Sequence, residues 1–217
     1  MKVELLRYTA DADTLCGEAA GTCYQSNNPV SALKHSAGAG HESVLEHAYF
    51  TFRISGVSRV LLAQLTRHRL ASFSVESQRY VKLTDEDAFV YPEGLTPMQK
   101  SVFRNVYRNA MLNYEALVQA GVKPEDARYL IPQAAMTTIV MSCNARELKH
   151  ILELRCCNRA QAEIRHMADE MYRLVYPKAP AIFAKAGCGC VNGKGCHESR
   201  PCGHPRKLEE WQNGKEE

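Results

Sequence analysis

The chain has 217 residues, 45% of them hydrophobic, enough to enclose the core of one domain with an appendage. Its 27 basic and 24 acidic side chains are well mixed and leave a net charge of only +3, which argues against a dedicated nucleic-acid binder and leaves room only for a local basic patch. The opening Met1-Lys2-Val3-Glu4-Leu5-Leu6-Arg7-Tyr8 has no secretory h-region, and no apolar stretch approaches a membrane span, so the expectation is a cytoplasmic protein with no membrane contact.

In chain order, a short opening strand is followed by helix and loop over 12–40, punctuated by Asn27-Asn28-Pro29 and Gly38-Ala39-Gly40. Tyr49 to Ser55 alternates, with Phe50, Phe52 and Ile54 on one face, and predicts a half-wet strand broken by Gly56. Val57 to Thr66 returns to helical spacing, which puts Arg67 and His68 at or just past a helix C-terminus. Residues 80–83 and 89–91 are short strand candidates around the acidic turn Asp85-Glu86-Asp87.

Thr96-Pro97 opens a long helix whose apolar stripe is Phe103, Val106, Tyr107, Ala110, Tyr114, Leu117 and Val118, with Gly121 as its stop signal. Pro124 opens a short helix through Arg128, and Ala135 to Ser142 reads as a buried strand. Asn144-Ala145-Arg146-Glu147 and Asn158-Arg159-Ala160-Gln161 both carry the capping-box pattern, predicting helices over about 145–155 and 159–175. The second has Ile164, Met167, Ala168, Met171, Leu174 and Val175 as its core stripe. The sum is an α+β fold, a mixed/antiparallel sheet flanked by helices, with residues 1–180 as one domain and 181–217 as a Cys-rich extension. There is no internal repeat, no βαβ alternation, no dinucleotide fingerprint around Gly38-Ala39-Gly40 and no P-loop.

The chemistry concentrates in Thr66 to Tyr80, where Arg67, His68, Arg69, Arg79 and the serines Ser72, Ser74 and Ser77 crowd together. Guanidinium groups fit phosphate oxygens in pairs, and hydroxyls add donors without charge. The cluster reads either as a pocket for a phosphorylated small molecule or as a strip of nucleic-acid surface. The helix dipole alone accounts for one such arginine but not for the set. Only Phe73 and Tyr80 are interleaved for base stacking, so the nucleic-acid reading is the poorer one.

Arg67-His68-Arg69, seven residues, Ser77 and then Arg79 resembles the signature of the flavin-dependent thymidylate synthases. Gly40 to His47, Asp126 to Pro132, and Asn144-Ala145-Arg146 with His150, Leu154-Arg155 and Ala160-Gln161 resemble further segments of that family, in order, over about 40–175. The resemblance implies that family's fold and its reaction: dUMP to dTMP by reductive methylation, with FAD as cofactor, methylenetetrahydrofolate as carbon donor and NADPH as reductant. It implies a homotetramer whose active sites are shared between subunits.

By the same resemblance, Ser43, Arg67, His68, Arg69, Asn144, Arg146 and His150 would contact FAD, and Gln64, Ser77, Arg79 and Arg128 would hold dUMP. Glu76 is a further substrate candidate. Arg155 would face the uracil and act as the catalytic group by stabilising its anionic form. Ser77 has no histidine fixed beside it and reads as a ligand hydrogen-bonder rather than a nucleophile. The sequence departs from the family at Val75, where many members have Glu or Gln, and at Glu76, which is acidic beside a phosphate site. His41 is either a ligand-facing or a capping group, and His47 and His166 read as structural.

Five of the nine cysteines (Cys16, Cys23, Cys143, Cys156 and Cys157) lie in apolar segments, as reduced buried thiols do. The others, Cys188, Cys190, Cys196 and Cys202, fall as C-x-C-x5-C-x5-C with His197 and His204 interleaved. Thiolate and imidazole suit structural zinc, but the spacing departs from the usual close pairs. The expectation is a flexible reduced extension without metal, those four cysteines being the candidates if one binds.

Overall fold

In the structure, a computed structural model that describes residues 1–79 and 88–207, Tyr49–Ser58 forms a long strand, β2. Phe50, Phe52 and Ile54 are wholly buried, while Tyr49 and Arg53 face out, as the alternation requires. Gly56 does not end the strand. It sits at φ +66° and absorbs a register shift between Ser55 and Val57, so β2 bulges and runs on to Ser58.

β2 pairs with β1 (Lys2–Tyr8) on one side and with β4 (Met136–Asn144) on the other, and β3 (Ser72–Val75) pairs with the far edge of β4. Every pairing is antiparallel, which resolves the expected mixed or antiparallel sheet to the second kind. The short strand expected at 80–83 and the acidic turn at 85–87 lie outside the described residues. Phe89 makes a single bridge to Ala135 rather than starting a strand.

The helices follow from their caps. The hydroxyl of Ser58 accepts from Leu61 N at 3.1 Å and so starts α3 (Arg59–Leu65). The same hydroxyl donates to Glu163 Oε2 at 2.5 Å, and Ser58 N donates to Glu163 Oε1 at 2.7 Å. Asn144 Oδ1 accepts from Glu147 N at 2.9 Å and starts α6 (Ala145–Arg155). The second expected cap fails: α7 (Ala162–Val175) begins after Gln161, and Asn158 instead donates from Nδ2 to His204 O at 2.7 Å. Ile164, Met167, Ala168, Met171 and Val175 of α7 are buried, joined by Tyr172, while Leu174 is only partly covered.

Helices α1 (Ala12–Tyr24) and α2 (Pro29–Gly38) complete the main core with α3, α6 and α7. α4 (Pro97–Gln119) has the full capping box between Thr96 and Gln99 and packs with α5 (Pro124–Ala127) on a second, smaller core of Phe89, Tyr107, Met111, Tyr114, Ala127 and Ala135. Of the stripe expected on α4, Val106 and Leu117 face outward instead. The chain passes residue 180 without leaving the core. Ile182 and Phe183 of α8 (Pro180–Phe183), then Ala186, Cys188 and, in α9 (Gly189–Asn192), Val191 are buried with the main cluster. Among the described residues no helix is long and apolar enough to cross a membrane.

Ser58→Ala removes the α3 cap and the hydroxyl's bond to Glu163 Oε2, while the bond from Ser58 N to Oε1 stays. We expect a loss of about 2 kcal/mol in urea unfolding, and a neutral result would show that neither bond holds α3.

Candidate active site

The turn after α3 delivers His68 into the protein, 4% exposed, with its backbone N–H bonded to Leu65 O at 3.1 Å. Arg155, at the last position of α6, donates from Nε to His68 Nε2 at 3.1 Å and from Nη2 to the carbonyl of Gln64 at 3.1 Å. On the opposite ring edge, His68 Nδ1 lies 3.4 Å from Glu147 Oε1, in the first turn of the same helix. A nitrogen that accepts from a guanidinium carries no proton, so His68 is the neutral tautomer with its hydrogen on Nδ1. Burial first, then Arg155 and His150, pushes its pKa down to about 4. Burial also raises the carboxyl of Glu147, so both members of this buried contact lean toward their neutral forms.

Around this hub opens a cleft of about 1280 Å³, larger than the roughly 300–1,000 Å³ of pockets for drug-sized molecules. Six of the seven residues assigned to a cofactor line it: Arg67, His68, Arg69, Asn144, Arg146 and His150. The seventh, Ser43, is exposed on the 3-10 turn Glu42–His47, whose Glu42 and Glu46 do reach the cleft. The imidazole of His150 meets His68 edge-on at 5.7 Å.

Several lining residues carry charge that the sequence reading left out. Lys34, Lys149 and Lys185 add cations, and Glu46 and Glu42 hold Arg146 and Lys149 at 2.5 Å each. Lys34 and Lys185 come from segments with no motif. Lys149 had a legible signal, its place one residue before His150 on an already assigned helix.

The substrate candidates divide. Gln64 belongs with the hub through its carbonyl, and its Nε2 donates to Gln161 Oε1 at 3.1 Å. The rest gather at a second cluster. Arg79 donates to Glu125 Oε2 from Nη2 at 2.7 Å and from Nε at 3.0 Å, and Arg128 donates from Nε to Glu125 O at 3.0 Å. Ser77 Oγ accepts from Arg79 N at 3.2 Å.

Glu76 is exposed and acts on Arg59, a half-buried arginine that also lies near Arg128 and that the sequence reading missed. Gln78, also missed, has a buried Nε2 with no hydrogen-bond partner among the described residues, a donor left over between Ser77 and Arg79. Val75 pairs in β3 with Ile139 and is partly buried.

Residues from five separate stretches of chain thus build one large cationic cleft, with a second arginine cluster on the chain that leaves it. That is the class of an α+β protein that binds phosphorylated ligands of dinucleotide and nucleotide size. The chain belongs to the thymidylate synthase complementing protein family, whose model matches residues 4–181. A flavin-dependent thymidylate synthase of Geobacter sulfurreducens is 44% identical over 226 residues, 96% of each chain, and one of Clostridium tetani is 36% identical over 238 residues, 96% of this chain and 95% of that one. The crystal structure of thymidylate synthase X from Helicobacter pylori with FAD and dUMP is similar at a TM-score of 0.71 and 26% identity, covering 84% of this chain and 97% of that one.

The state of His68 has a pH consequence. Its unfolded pKa is near 6.5 and its folded value about 4, so the unfolded chain takes up the proton first as pH falls. Stability from this group is full above pH 6.5 and is lost as pH drops from 6.5 toward 4. NMR of the His68 ring should show it neutral at pH 6, and His68→Asn should flatten the loss of Tm across that window; a ring that titrates near 6.5 contradicts the assignment.

Proposed function

We propose that this chain is a flavin-dependent thymidylate synthase, converting dUMP to dTMP by reductive methylation. The observation that carries the reading is the convergence of Arg67, His68, Arg69, Asn144, Arg146 and His150 on one cleft, with Arg155 a single hydrogen bond behind it. The donor set fits FAD: guanidinium and ammonium groups for its pyrophosphate, and a volume beyond that of a mononucleotide pocket. In its reduced form FAD supplies a hydride. Methylenetetrahydrofolate as carbon donor and NADPH as reductant complete the balance of the reaction.

Within this reading Arg67, Arg69 and Arg146 hold the cofactor's phosphates, and Asn144, whose oxygen is committed to the α6 cap, offers its Nδ2. Ser43 and His150 are its remaining contacts. Ser77, Arg79 and Arg128 take the phosphate of dUMP, with Glu76 and Gln64 beside it. Arg155 spends Nε and one Nη2 hydrogen on His68 and Gln64, and its Nη1 makes no hydrogen bond among the described residues. That end faces the uracil and stabilises the negative charge that makes C5 nucleophilic.

The same reading makes the protein a cytoplasmic homotetramer whose active sites combine residues from different subunits, with no nucleic-acid partner. Its nine cysteines are all free, which suits a reducing compartment. On α4, Met98, Val102 and Val106 are exposed along one face at four-residue spacing, beside an apolar groove of about 460 Å³ that also takes in Leu95, Phe103 and Pro132. A second copy of the chain would cover it.

Purified protein should carry flavin absorbance, bind dUMP and restore growth of a thymidine auxotroph. Arg155→Ala should keep the flavin and lose on the order of 10² in kcat; equal growth with this variant removes Arg155 from the chemistry, and a protein that takes up neither FAD nor dUMP removes the reading itself. By light scattering, the wild type should have a multi-subunit mass and Val102→Asp with Val106→Asp a smaller one. A monomeric wild type would contradict self-association.

A further inference from the structure

Arg155 is the last residue of α6, and the end of a helix is where its backbone is held least firmly. The final carbonyls have no partner inside the helix and must be met from elsewhere. Cys156, the C-cap of α6, is wholly buried, so water is not the partner of its carbonyl.

The partner comes from 50 residues further along the chain. Arg206 donates from Nη1 to Cys156 O at 2.9 Å, and from Nη1 and Nη2 to Asp169 Oδ1 and Oδ2 at 2.7 Å each. Asp169 stands in the middle of α7 and is 3% exposed. One guanidinium therefore joins the end of α6 to α7 across the turn that links them. Its planar fork matches the carboxylate in two places, which fixes its orientation as well as its distance. Its charge also has the sign that a helix C-terminus favours.

The segment that carries Arg206 follows the same junction. Lys194 Nζ meets both carboxylate oxygens of Glu153 at 3.1 Å, Arg159 Nη1 donates to Arg200 O at 2.7 Å, and Asn158 Nδ2 bonds His204 O. Residues 193–201 are all exposed, so polar contacts rather than apolar burial hold this stretch against the domain. Glu153 precedes Arg155 on α6 and Cys156 follows it, so the segment grips the helix on both sides of its last residue. The two grips differ in strength. More than half of the Lys194 side chain is open to solvent, where an ion pair contributes little, whereas the Asp169 carboxylate is enclosed.

The head of Arg155 is already fixed by His68 and the carbonyl of Gln64. Its long stem transmits any movement of the backbone beneath it to that head. A guanidinium that must meet a developing charge at one distance and angle needs its base held as well.

We propose that Arg206 is a positioning residue for Arg155: it pins the Cys156 carbonyl, and with it the last turn of α6, against Asp169. The inference rests on the role given to Arg155 under the proposed function. Arg206 is not among the residues lining the cleft, so it acts through Arg155 and not on a ligand. The family model ends at residue 181, and the device lies in the chain beyond it. A pair that served stability alone would be replaceable by apolar side chains of similar size, because a buried ion pair gives little net stability over such a replacement. The bond to the Cys156 carbonyl is what that replacement cannot reproduce.

The test follows dTMP formation by full-length variants, with FAD and dUMP affinities measured separately. Wild-type turnover comes first, and its absence removes the proposed function and this inference together. Arg206→Ala should lower kcat on the order of tenfold while the dissociation constants of FAD and dUMP stay within about twofold of wild type. That variant leaves Asp169 buried without its partner and can lose stability. Asp169→Leu combined with Arg206→Met removes both charges, and should keep the circular dichroism and Tm of the wild type while showing the same loss of kcat. Arg206→Lys should restore only part of it, since an ammonium lacks the fork. In an Arg155→Ala background, Arg206→Ala should lower kcat no further. Three outcomes would each overturn the proposal and leave the reaction itself standing: wild-type kcat in the double variant, an equal loss from Arg206→Ala with and without Arg155, or a loss confined to FAD or dUMP affinity.

Discussion

The antiparallel ladder between β2 and β4 is the constraint on which the site depends. Its register runs from Tyr49 opposite Asn144 to Ser58 opposite Met136, so the two strands finish at opposite ends of their shared ladder. Each strand launches a helix from the residue at its end: Ser58 caps α3, and Asn144 caps α6. The two helices leave from opposite ends of that ladder and meet where the end of α3 approaches the end of α6, at Gln64, His68 and Arg155. A slip of one residue would turn Phe50, Phe52 and Ile54 to the wet face. Because those side chains are wholly buried, the hydrophobic term that fixes the register also fixes where Arg155 lies.

Burial decides the chemistry at that meeting point. An exposed histidine beside a carboxylate would be drawn toward its charged form, but His68 is almost wholly enclosed and has a guanidinium on its other edge. Desolvation and Arg155 act together, and they outweigh a glutamate whose own carboxyl is pushed toward neutrality. The result is a neutral ring that accepts from Arg155 and holds the guanidinium plane in place. His68 is thus a cleft-lining residue and also the support that orients the group behind it.

What could be read in the sequence was what depends on local periodicity. The strand at Tyr49, the α4 capping box at Thr96 and Gln99, and the core stripe of α7 need only neighbours within one or two turns. Features decided by distant packing were not legible. Gly56 carries the same signal whether it ends a strand or bulges it, and the choice depends on β4 continuing alongside. Asn158 matches the cap pattern as well as Asn144 does, but its side chain is taken by His204, 46 residues on. Val106 continues an apolar stripe that is wider than the small core beneath α4 can cover. That Arg67 and Arg146 share one cleft came from family resemblance, since spacing alone does not bring them together.

The cleft's acidic side chains sharpen what its cations are for. Glu46 and Glu42, one helical turn apart in sequence, meet Arg146 and Lys149 in three dimensions. Roughly half of Arg146 and Glu46 is open to solvent, where such a pair contributes about 0–1 kcal/mol. A pyrophosphate offers Arg146 a two-pronged, charge-assisted partner in exchange for so weak a contact. The carboxylates therefore keep the unliganded cleft from carrying an unbalanced positive field, and they give way at little cost to a ligand with more charge. Arg67 and Arg69, with no such carboxylate among the described residues, are left to set the attraction from outside. This division between screened and unscreened cations is compatible with a net charge of only +3 for the whole chain.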